Sequence, residues 1–133
     1  MPAAETTRGR LRQVERWLRH HYPMKRPVRV RVDVTEKSEG KRDDGLTYRL
    51  AGGGPGLVIL LNNELLAPEH DLYLVEVLIH EWAHGRVWRV DLEDDHRAVH
   101  RPEWALEYGL IYQHYCDRGG WRGSHRFSPR PWR

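Results

Sequence analysis

The chain has 133 residues, 39% hydrophobic and 31% charged, which suits one folded domain and excludes both a wholly disordered chain and two independent cores. Its single cysteine, Cys116, excludes an intramolecular disulfide and a cysteine-based zinc ribbon, and no apolar run approaches the roughly 18 residues of a membrane span. The net charge of +3 is uneven: nine Lys or Arg stand against one acid, Glu15, between Arg8 and Arg31, and five Arg with no acid lie between Arg118 and Arg133.

Without an apolar leader at the N-terminus, the chain reads as soluble and cytoplasmic. The two basic segments read either as ordinary solvated charge or as a surface facing DNA. In chain order, Leu11, Val14, Leu18 and Tyr22 recur at helical spacing, which predicts an amphipathic first helix capped at Thr6 or Thr7 and closed by Pro23. Val28, Val30, Val32 and Val34 alternate with polar residues, a period of two that puts all four valines on one face of a half-buried strand. The charged stretch from Glu36 to Gly45 reads as a turn. Leu46, Tyr48 and Leu50 alternate again, and a glycine-rich break precedes the apolar run Leu57 to Leu61, for about three strands in all.

From Glu69 to about Val87 a long apolar segment predicts a buried central helix, with Gly85 ending or loosening it. Arg89 to Val99 reads as a connecting loop. Pro102 suits the first turn of a last helix in which Trp104, Tyr108, Ile111 and Tyr115 share a stripe, stopped by Gly119 and Gly120. A single domain is therefore expected over residues 1–118, with a basic, flexible tail over 119–133.

The central helix carries His80-Glu81-Trp82-Ala83-His84. Residues four apart on a helix share a face, so His80 and His84 can present imidazole nitrogens to one ion. Glu81 is angularly displaced from them and suited to take a proton from water as a general base. An unpaired His-Glu-His trio would be costly to bury in so apolar a segment, which favours a metal over coincidence. A catalytic zinc needs a third protein ligand, for which His96, His100, Glu103 and Glu107 are the candidates. His100, just before Pro102, is the choice; of His100, Glu103 and Glu107, which can share one helix face, one ligates and the others are expected to hold histidine N–H groups. Tyr108 and Tyr112 read either as donors to a developing oxyanion or as core packing.

This HExxH stretch, followed by His100-Arg101-Pro102-Glu103-Trp104 and then Tyr108 and Tyr112, resembles the SprT-like zinc metallopeptidases and their small bacterial and phage relatives. The resemblance covers roughly residues 57 to 115. It implies an α+β, minimal zincin-like fold: an N-terminal helix, a short sheet, the active-site helix and a supporting helix. It also implies zinc held by His80, His84 and His100, Glu81 as general base, and Leu57 to Leu61 with Asn62 as the edge strand before the active helix. Pro102-x-Trp104-x-x-Glu107 also resembles the glutamate-bearing helix of gluzincins, which keeps Glu107 and Glu103 open as third ligands. Metzincins are excluded, because their third histidine would fall at Val90 and no methionine lies downstream for a Met-turn.

The expectation is a zinc (Zn2+) metallopeptidase acting on a protein or peptide substrate, with DNA-associated proteins as one class through the basic first helix and tail. Two alternatives stay open. One is a non-catalytic, zinc-stabilised module binding nucleic acid or protein, which the presence of Glu81 argues against; the other is a regulatory peptidase that cleaves one dedicated repressor.

Overall fold

The computed structural model describes residues 3–50, 52 and 54–118, except for the side chains of residues 3–5 and His96; the basic tail 119–133 lies outside the described residues. The architecture is α+β. Helix α1 (Ala3–His21) leads into strand β1 (Val28–Asp33), a small hairpin of β2 (Lys37–Ser38) and β3 (Lys41–Arg42), then β4 (Gly45–Arg49) and β5 (Leu57–Asn62). Two short 3-10 turns precede helix α2 (Asp71–Arg86), two more fill the next connection, and α3 (Pro102–Asp117) completes the described chain. No helix among the described residues is long and apolar enough to cross a membrane.

The main sheet has the order β1-β5-β4, with β5 parallel to β1 and antiparallel to β4. Its registers put Val28, Val30 and Val32, then Leu57, Ile59 and Leu61, then Arg49, Thr47 and Gly45 on one face. The three helices gather on that side. Leu11, Val14 and Leu18 of α1, Leu74, Leu78, Ile79 and Trp82 of α2, and Trp104, Ile111 and Tyr115 of α3 join Ile59 and Leu61 in one buried cluster. Each such aliphatic side chain contributes about 1.5–3 kcal/mol through burial. Helix α2 is buried on most of its circumference, as its apolar sequence requires, and its Trp82 donates its indole N–H to the carbonyl of Tyr22 at 2.9 Å.

Several sequence expectations are corrected. Helix α1 begins at Ala3, so Thr6 and Thr7 lie inside it rather than at its cap; Thr7 is buried one turn before Leu11 and extends the apolar stripe. Strand β1 stops at Asp33, whose carboxylate accepts from the amide of Val34, and Val34 is left 54% exposed. The charged stretch after it forms the β2–β3 hairpin, which turns through Glu39 and Gly40, both at positive φ. Strand β5 is the central strand rather than an edge, because β1 and β4 flank it. Gly85 lies in the last turn of α2, which ends at Arg86, and its missing side chain admits the thioether end of Met24, which a Cβ there would overlap.

Candidate metal centre

Helix α2 puts His80 and His84 one turn apart on one side of the helix. The connection Val87 to Arg101 folds back over the end of α2 and presents His100 immediately before α3. Arg101 fixes that return, donating to the carbonyls of Val87 and Ala98 and pairing with Glu103. As a result, single nitrogens of His80, His84 and His100 all lie within 4.8 Å of one another. Nε2 of His80 stands 3.2 Å from Nε2 of His84 and 3.4 Å from Nε2 of His100.

Those separations bear on the nature of an occupant. Ligands about 2.0–2.1 Å from a tetrahedral zinc are separated by roughly 3.3–3.4 Å, which is close to the His80–His84 and His80–His100 separations. Burial lowers the pKa of His80 to about 4 and that of His84 to about 3, each with a further lowering from the neighbouring imidazoles, and burial lowers His100 as well. All three rings are therefore neutral at pH 7, the form that coordinates a metal. The residues fit zinc.

Trp104 holds the three rings together. Its ring lies 4.7 Å from that of His80, 5.0 Å from His84 in a stacked arrangement and 4.4 Å from His100, while its indole N–H donates to the carbonyl of His80 at 3.2 Å. Tyr108 stacks on Trp104 at 5.4 Å and directs its hydroxyl to Glu76, 3.4 Å away. Tyr108 is thus buried in the core, and Tyr112 packs against the same cluster.

Glu81 is 6% exposed and lies between α2 and β4. Its Oε2 is 3.8 Å from Nε2 of His80, whereas Oε1 accepts from the hydroxyl of Thr47 at 2.7 Å. Burial raises the Glu81 pKa to about 7, against the opposing pull of the Thr47 hydrogen bond, and the charge of Asp43 raises it further. With His80 neutral, the pair is a close approach of two groups and not an ion pair.

The other candidates are elsewhere. The Glu107 carboxylate receives Nε of Arg86 at 2.7 Å, and Glu103 is paired with Arg101, so arginines rather than histidine N–H groups occupy these two carboxylates. The side chain of His96 lies outside the described residues. Sequence reasoning missed Thr47, Gly45, Arg49 and Glu93. The Thr47 contact spans 34 positions, and nothing in the local pattern marks it; β4 alternation alone would have put Gly45, Thr47 and Arg49 on a common face. Arg49 makes a two-pronged contact with Glu93 at 2.8 and 2.9 Å, and Trp88 donates to the same carboxylate at 2.8 Å, tying β4 to the connection that carries His100.

Comparison of the chain with family models, with curated proteins and with solved structures finds no match.

Proposed function

We propose that the chain is a zinc metallopeptidase of the SprT-like type, hydrolysing peptide bonds at the cluster of His80, His84 and His100 with Glu81 as general base. The observation that carries this reading is the convergence of three imidazole nitrogens within 4.8 Å of one another, two pairs of them at 3.2 and 3.4 Å, and of a carboxylate oxygen 3.8 Å from one of them. His80, His84 and His100 would hold the zinc, which when bound would supply Lewis-acid polarisation of a carbonyl and lower the pKa of water.

The protein's own groups supply the remainder. Glu81 would accept the proton of water at Oε2, the oxygen on the His80 side, and return it to the departing amine. Trp104 keeps the three imidazoles in mutual register through its contacts with all of them. A closed structural zinc site would more often have four protein ligands and no base beside it, which favours hydrolysis over a passive binding module.

The Glu81→Gln variant tests this. It keeps the size and one acceptor oxygen of the side chain but removes the base, so it is expected to bind zinc stoichiometrically, keep its fold and lose hydrolysis of casein or histones by about 100-fold or more. Residual activity equal to wild type would sink the proposal.

A further inference from the structure

Glu81 has three rotatable side-chain bonds and two chemically equivalent oxygens, so a sequence that merely places it on α2 does not determine which oxygen faces the histidines. Strand β4 makes that choice. Thr47 pairs in register with the fully buried Ile59 of β5, which fixes its backbone on the helix-facing side of the sheet, and its β-branched side chain has few rotamers from which to choose. Its Oγ1 lies 2.7 Å from Oε1 of Glu81 and 3.1 Å from the carbonyl of the same residue. The hydroxyl has one proton, and the shorter contact to the carboxylate takes it.

Two residues earlier, Gly45 closes the other side of the slot. A Cβ on Gly45 would stand 2.7 Å from Cγ1 of Val77 and 3.0 Å from Cγ of Glu81, so strand and helix approach as closely as they do only because that side chain is absent. The Glu81 stem is thus confined by Gly45 and its Oε1 is held by Thr47. Oε2 is the oxygen left on the histidine side, 3.8 Å from Nε2 of His80.

We infer that Thr47 is the positioning residue of this centre: by holding Oε1 it reserves Oε2 of Glu81 for proton transfer. This rests on the metallopeptidase reading and adds to it a strand-borne group that acts through Glu81 rather than on substrate. A misaimed base costs turnover rather than substrate binding, and displacements of about 1 Å in such groups cost on the order of 100-fold.

The test compares wild type with Thr47→Val and Thr47→Ser for zinc affinity, kcat and KM on one fluorogenic peptide. Thr47→Val is expected to keep wild-type zinc affinity and KM while kcat falls about tenfold to hundredfold, and Thr47→Ser, which restores the hydroxyl, is expected to recover most of the rate. Thr47→Ala, which introduces no clash, reads the same split if valine disturbs the strand. Wild-type kcat in the valine and alanine variants would overturn the positioning role alone. So would a loss that tracks zinc affinity or that serine fails to rescue. A wild-type protein that binds zinc but cleaves nothing would overturn the enzymatic reading, and the positioning role with it.

Discussion

Of the two candidates for a third ligand, His100 stands beside His80 while Glu107 is held by Arg86. Arg86, itself anchored by the carbonyl of Pro23 at 2.5 Å, donates its Nε to the Glu107 carboxylate at 2.7 Å, and Glu107 as a ligand would lose that contact. His100 has its ring against Trp104 and its Nε2 at ligand spacing from His80. The His100→Ala protein is therefore expected to lose zinc affinity by about 100-fold or more, exceeding the 10–100-fold typical of outer-shell changes, in competition with a chromophoric chelator. Glu107→Ala is expected to hold zinc as wild type does while losing about 1 kcal/mol of stability with the Arg86 contact. The opposite pattern would make Glu107 the ligand. The two histidines of α2 were legible in the sequence because a four-residue spacing on a helix is local information. His100 was the choice for a third partner on its place before Pro102, but what the sequence did not show is that arginines hold Glu103 and Glu107.

Strand β4 shows what alternation can and cannot say. Leu46, Tyr48 and Leu50 look like the buried set, yet Leu46 is 37% and Leu50 44% exposed, and the inward positions are Gly45, Thr47 and Arg49. Period two reveals that a strand has two faces; it is the packing partner that selects which one turns inward. Here that partner is α2 with its Glu81, which needs a gap and a hydroxyl more than another leucine. By contrast the valines of β1, the apolar stripe of α1 and the Trp104, Tyr108, Ile111 and Tyr115 stripe of α3 were correctly read, because each faces an apolar neighbour. Arg49, the third inward residue, yields a pH prediction. Its hydrogen bonds hold the Glu93 carboxyl below its ordinary value of 4.5, burial opposes this, and the Trp88 N–H assists. As pH falls, the unfolded chain therefore protonates Glu93 first. The stabilisation from this contact is whole above about pH 4.5 and is lost as pH drops through the lower folded-state value. Glu93→Gln is expected to be less stable than wild type at pH 7 and to show a shallower decline below pH 4.5 in urea titrations at stepped pH. Parallel pH profiles for the two proteins would show that the contact does not matter to folding.

Across the whole molecule, one cluster of side chains ties α2 to α3 and to the connection between them. His80 and His84 belong to α2, His100 ends the long connection, and Trp104 in α3 packs on all three rings. A ligand that binds this arrangement and not the unfolded chain stabilises the fold by RT ln(1 + [L]/Kd), about 4 kcal/mol when free zinc exceeds Kd a thousandfold. For a domain of this size that corresponds to a shift in Tm on the order of 10 °C. The core of α1, α2 and β5 does not involve these histidines, so the metal-free protein is expected to remain folded at 25 °C with a lower Tm rather than to unfold as a zinc finger does. Differential scanning calorimetry with and without a strong chelator measures the difference. The His84→Ala protein supplies the control: it lacks one corner of the site, and chelation should leave its Tm nearly unchanged. An equal chelator-induced shift in both proteins would place the responsible metal outside this cluster, and no shift in wild type would mean that the three imidazoles do not share an ion.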